Sequence, residues 1–164
     1  MKKSLEWGGD SVSIDQLCKR LMSFSGSIMK LNAPVSKESM NAFQNDNGIS
    51  LPESFSELLQ HFDGGELFVP GTTIYGISNE QFETNTLNSV NAQAKRSLLS
   101  IPPSFFIIGK LNFGDYVCLD LNEPHEIVQW DHETDKEFYR WGSLETWLED
   151  VIDDYLNYSG DNRE

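Results

Sequence analysis

The densest group of side chains able to do chemistry lies between His125 and Asp135. It comprises His125 and Glu126, then Asp131, His132, Glu133, Thr134 and Asp135. Imidazoles beside carboxylates are the residue types that hold a zinc or comparable ion. Their spacing argues against closure around one. Asp131 and His132 are adjacent, so on a strand they point to opposite faces, and His125 falls on the preceding turn. No His-x-x-x-His or Cys-x-x-Cys pair supports them. The segment reads as a polar strand end entering a turn, with no metal site.

Other chemistries find less support. Asp115 and Asp120 are a carboxylate pair of the kind that does acid–base work, but both read as turn and strand-edge residues. No Gly-x-Ser-x-Gly elbow is present, and Gly64-Gly65 lacks the following Lys-Ser/Thr of a phosphate loop. Cys18 and Cys118 sit inside apolar patterns and read as buried small hydrophobes rather than as a disulfide or a nucleophile. His61, beside an apolar stripe, reads as a helix-surface residue. The expectation is a protein with no catalytic residue, no cofactor and no metal: not an enzyme.

Charge points toward binding. The chain of 164 residues has a net charge of −14. Residues 111–164 hold 15 acids and 3 bases, whereas residues 1–110 hold 11 acids and 9 bases. Such a field repels phosphate backbones, which excludes direct nucleic-acid binding, and it steers a basic protein partner. The candidate docking patch is Glu133, Asp135 and Glu137 together with Glu145, Glu149, Asp150, Asp153 and Asp154. The competing reading is a solvated acidic face. Charge reversal at Glu149 and Asp153 is the sequence-based test of the patch. No apolar stretch follows Lys2-Lys3, and no window approaches the ~20 apolar residues of a membrane span, so a cytoplasmic protein without membrane contact is expected.

The elements that must position these residues follow from periodicity. Ser13 precedes Ile14, Leu17, Cys18 and Leu21 at helical spacing, with Phe24 and Ile28 as an extension. Ser36 starts a second helix carrying Met40 and Phe43, which Asn47-Gly48 stops. Phe55, Leu58, Leu59 and Phe62 stripe a third, ended by Asp63-Gly64-Gly65. Short strands follow at 67–69 and 73–77, and residues 78–100 form either a surface helix or a long loop. Strand character resumes at 105–108, 115–121, 127–130 and 138–141, with turns short enough to require antiparallel pairing. A closing helix carries Leu144, Trp147, Leu148, Val151, Tyr155 and Leu156. The expected fold class is a single α+β domain: N-terminal helices, an antiparallel sheet (mixed pairing remaining open) and a C-terminal amphipathic helix.

Five motifs in this order resemble the SUKH, or Smi/Knr-like, superfamily. Leu51-Pro52-Glu53-Ser54-Phe55 with Leu58-Leu59 and Asp63-Gly64-Gly65 resembles its opening signature, with Asp63 where Asn is usual and Phe55 where Tyr is commoner. Ile107-Ile108-Gly109, Gly114-Asp115 with Cys118-Leu119-Asp120, Val128-Gln129-Trp130-Asp131-His132-Glu133 and Ser143-Leu144-Glu145-Thr146-Trp147-Leu148 resemble the later ones. The last has Leu144 for the commoner Phe. The resemblance spans roughly residues 36–156. It implies a SUKH-like domain over 31–158, a helical extension over 1–30 and a short polar tail over 159–164. It also implies, for most bacterial members, an immunity protein that binds and neutralises a cognate polymorphic toxin. Eukaryotic relatives resemble non-catalytic regulatory scaffolds, which is the alternative. Leu51, Pro52, Phe55, Gly64, Gly65, Gly114, Asp115, Trp130 and Trp147 read as fold determinants rather than binding residues.

Overall fold

Ser13 begins the fold by capping its first helix. Its hydroxyl accepts from the Gln16 N–H at 3.1 Å, while the Gln16 side-chain Oε1 accepts from the Ser13 N–H at 3.0 Å. This reciprocal box satisfies two N–H groups that a helix start leaves without partners. The computed structural model describes residues 12–78 and 85–161, without the side chains of the last two. The reading of the first ten residues therefore lies outside the described ones.

Helix α1 spans Ile14–Met22, strand β1 Met29–Leu31, helices α2 and α3 Lys37–Asn47 and Glu53–His61, and strands β2 and β3 Gly65–Leu67 and Thr72–Ile74. Helix α4 spans Leu87–Lys95. Strands β4 to β7 follow at Phe105–Lys110, Tyr116–Asp120, Ile127–Asp131 and Lys136–Trp141, and helix α5 closes at Leu144–Asp161. The strands form one seven-stranded sheet in sequence order, β1 to β7, and every pairing is antiparallel. The fold is a single α+β domain, as the periodicity predicts.

Alternation and register sort the sheet's side chains onto two faces. Phe105, Asp120, Cys118, Val128, Trp130 and Arg140 share one, here the Arg140 face. Val117, Leu119, Ile127, Gln129, Tyr139 and Trp141 share the other, here the Trp141 face. Helix α5 lies against the Trp141 face, where the Trp141 and Trp147 rings stand 6.5 Å apart. Helices α1, α3 and α5 pack on one another. The α1 residues Ile14, Leu17, Cys18 and Leu21 belong to the same core as the sheet, so this part of the first thirty residues is built into the domain.

Some details depart from the periodicity. Helix α1 ends at Met22, and Met29–Leu31 pairs with β2 as a strand that the sequence does not announce. The strand expected over 67–69 ends at Leu67, because Phe68 takes φ +55 and turns the chain. On α5 the inward stripe runs through Ile152, which is buried, while Leu156 is 40% exposed. Residues 87–95 resolve the open choice over 78–100 in favour of a helix for that part. Thr86 caps it through Ser89.

The glycine signature has a steric cause. Gly64 and Gly65 adopt φ +73 and +142. A Cβ on Gly64 would lie 2.4 Å from the Ile74 carbonyl oxygen, and one on Gly65 would lie 2.2 Å from that of Lys30. Neither position admits a side chain. The adjoining Asp63 is buried and accepts from the Ile77 and Ser78 N–H groups at 2.7 and 2.9 Å. Its role needs only acceptors, which explains how Asp serves where Asn is usual. Among the described residues no helix is long and apolar enough to cross a membrane.

Candidate functional site

Asp115, in the turn between β4 and β5, ties that turn to the end of β6. It is 4% exposed. One carboxylate oxygen accepts from the His132 N–H at 3.1 Å and lies 2.6 Å from His132 Nδ1, and the other accepts from Gln129 Nε2 at 2.8 Å. Gly114 precedes it because a Cβ there would fall 2.9 Å from the His132 ring. The strand reading separated Asp131 from His132, yet ligand-type atoms of Asp115, Asp131 and His132 lie within 4.8 Å of one another. The reason is that β6 stops at Asp131, so His132 belongs to the turn and swings back to Asp115. Asp131 is engaged within the β6–β7 turn, where one of its oxygens accepts from the Glu133 and Thr134 N–H groups at 2.9 and 3.2 Å. Those two bonds hold the Asp131 carboxyl below the usual carboxylate range. Acid–base chemistry would need a carboxylate free to meet a substrate, and this one is a latch.

His61 lies at the α1–α3 contact, with Nε2 3.3 Å from an Asp15 oxygen whose partner oxygen meets Lys19 at 2.9 Å. Both cysteines are free and buried. Burial pushes the Cys18 thiol up to about 12, and it pushes Cys118 up as well, so neither is a thiolate near neutrality.

The structure distributes the acidic docking candidates over both faces of the sheet. Asp135, at φ +56, accepts from the Ser100 N–H at 2.8 and 2.9 Å and from the Trp130 indole at 3.0 Å. The Ser100 bonds lower its pKa from the ordinary value. Glu137 pairs with Arg140 at 2.5 Å, and the same guanidinium reaches Asp120 at 2.8 Å and Glu126 at 3.4 Å. Asp135 and Glu137 are therefore tied into the Arg140 face through Trp130 and Arg140. Glu133 is exposed at the tip of the β6–β7 hairpin.

Helix α5 is electrostatically different. Glu145, Glu149, Asp150, Asp153 and Asp154 lie on it, and Leu144–Asp161 contains no Lys, Arg or His. Glu149 is half-buried. Its carboxyl is raised above the ordinary value by desolvation first and then by Asp153, Asp150 and Glu145, with Arg20 of α1 opposing them. Asp150 accepts from the Trp141 indole at 2.8 Å. Asp153 and Asp154 are exposed.

Beside these acids lies a groove of about 840 Å³ between α5, the β2–β3 turn and the β4–β5 turn. Sequence reasoning does not find it. Its aromatic lining comes from distant segments, including Phe68, Phe113, Phe138 and Tyr155. The one local signal was a set of aromatics off any apolar stripe, Phe113 and Phe138 among them.

Leu51 and Phe55 are core residues, Pro52 sits immediately before α3, and Trp147 is 1% exposed at the centre of the helix–sheet contact. Trp130 is buried on the Arg140 face, edge-on to Phe105 at 6.0 Å.

Comparison with known proteins accords with this architecture. A crystal structure of a protein from Pseudomonas syringae pv. tomato has a similar fold, with a TM-score of 0.65 at 18% identity. The match covers 84% of this chain and 96% of that one. No curated protein matches significantly. The family described as SMI1 / KNR4 (SUKH-1) matches residues 34–150, a span that contains all five motifs and the whole sheet from β2 to β7. The chain belongs to the SMI1 / KNR4 (SUKH-1) family.

Proposed function

We propose that this chain is a cytoplasmic immunity protein that binds a cognate polymorphic toxin stoichiometrically and performs no catalysis. Family membership supports the reading at the level of class, since the SUKH resemblance implies immunity proteins for most bacterial members. The observation that carries it is α5. Burial first and then Asp153, Asp150 and Glu145 raise the Glu149 carboxyl there, and the helix contains no Lys, Arg or His. A partner surface rich in Lys and Arg supplies what is missing, and a nuclease-type toxin domain has such a surface for its own substrate.

The test is co-expression with the toxin-like domain encoded directly upstream, reading cell survival and co-purification. Rescue with a one-to-one complex is the expected result. Survival unchanged, with no complex, would remove the immunity reading. Association is expected to slow as salt rises from roughly 50 to 500 mM, because exposed charges are screened over that range. Asp153→Lys, at an exposed position, is expected to slow association further. A rate indifferent to both changes would detach α5 from the encounter.

A further inference from the structure

The groove beside α5 has the composition of a binding site for a cationic segment. Phe113, Phe138 and Tyr158 are 61%, 66% and 71% exposed, and all three line this one groove. They are the exposed aromatic rings among the described residues. Large rings left in water at one place cost solvation free energy that a docked partner recovers.

The wall is built before any partner arrives. Phe68 takes φ +55, a conformation that strains a bulky residue. It is held there by a stacked contact with Tyr155 at 4.2 Å and an edge contact with Phe24 at 5.0 Å. Trp141 is fixed by its indole bond to Asp150, which also sets that carboxylate at the groove. Asp154 lines the groove as well, and among the described residues no Lys, Arg or His does.

The geometry points to this groove as the docking site for an Arg- or Lys-bearing segment of a protein partner. The aliphatic stem of the cation lies along the rings, and its head meets the acidic end of the groove at Asp150. Rings supply contact area and cation–π attraction, and the carboxylates select the sign. Charge complementarity decides the occupant. An acidic segment would gain the same apolar contact while meeting like charge on α5, and a neutral one would gain the contact without the attraction. The biological partner rests on the toxin reading, but the chemistry of the groove does not.

Two measurements keep these apart. The first titrates isotope-labelled protein with a hexapeptide of alternating Arg and Leu, and separately with alternating Glu and Leu and with spermine, reading amide chemical shifts. The expected result is saturable shifts from the Arg-Leu peptide alone, centred on Phe68–Thr72, Leu111–Phe113 and the second half of α5. The double variant Phe113→Ser/Phe138→Ser is expected to weaken that binding about tenfold. Both rings are exposed, so its unchanged thermal midpoint verifies the fold. Shifts spread over the β6–β7 tip, equal shifts with spermine, equal binding of the Glu-Leu peptide or no binding at all would each overturn the groove proposal. The second measures the toxin complex with the same double variant. Weakened binding supports the groove, whereas a wild-type affinity overturns it and leaves the immunity reading intact.

Discussion

Asp120 and Asp135 at the sheet and Glu149 on α5 carry the same formal charge, yet their surroundings shift them in opposite directions. Asp115, Asp120 and Asp135 each accept hydrogen bonds from groups the fold delivers to them: Gln129 and His132, Arg140, and Ser100 with Trp130. Glu145, Glu149 and Asp153 lie on a helix with no cation of its own, and Glu149 is raised by burial and by its acidic neighbours. A run of acids in a sequence therefore says little about which of them a partner can use. The donors brought by tertiary structure decide it.

The largest break in that contrast comes from Asp115→Ala. It strands the buried Gln129 amide and removes the acceptor of the half-exposed His132, and a loss of about 3 kcal/mol is expected in a denaturant midpoint. Arg140→Met is next. It leaves the buried Asp120 carboxylate without its cation, for about 2 kcal/mol, moderated because the guanidinium is partly in water. On α5 the sign reverses. Glu149→Gln removes a repelled carboxylate and is expected to stabilise the protein by about 0.3 kcal/mol at neutral pH.

Acid sharpens the comparison. Burial alone would raise Asp120, but hydrogen bonds from Arg140 and the Asn122 N–H outweigh it and hold the group below its ordinary value. Its contribution is complete above the unfolded-state pKa and is lost as pH falls through the lowered one. Glu149 runs the other way. Its raised carboxyl opposes folding at neutral pH, and that opposition fades as pH falls through the raised value and is gone below the ordinary one. The Glu149→Gln gain is therefore expected to vanish in acid while the Arg140→Met loss shrinks only at lower pH. Thermal midpoints across an acid series check both. A Glu149→Gln gain independent of pH would mean that helix propensity rather than charge is at work.

What was legible in the sequence divides along similar lines. Helix α1, with its Ser13 cap, and the glycines after α3 were readable because local chemistry forces them. Strand β1 was not. Met29-Lys30-Leu31 is too short for alternation to declare itself, and its pairing with Gly65–Leu67 depends on α2 and α3 folding between them. The eight carboxylates of the candidate patch were visible as residues, but their separation onto two faces depends on Trp130 and Arg140 reaching them. The groove was hidden for the same reason, since Phe68, Phe113 and Tyr155 meet only in three dimensions.

The register of β3 against β4 covers only Thr73–Lys110 and Ile74–Gly109. Tyr75 N–H donates to the Ile108 carbonyl at 2.8 Å, and next to it the Asn91 side chain both donates to the Ile107 carbonyl at 2.9 Å and accepts from its N–H at 2.8 Å. An amide from α4 thus completes the edge where a strand would otherwise continue. Mechanically, the sheet is two leaves, β1–β3 and β4–β7, sewn by a short seam and one side-chain stitch. Under load or mild denaturant the leaves part there first, so amide exchange at Ile107 should outrun that of its neighbours deeper in the second leaf.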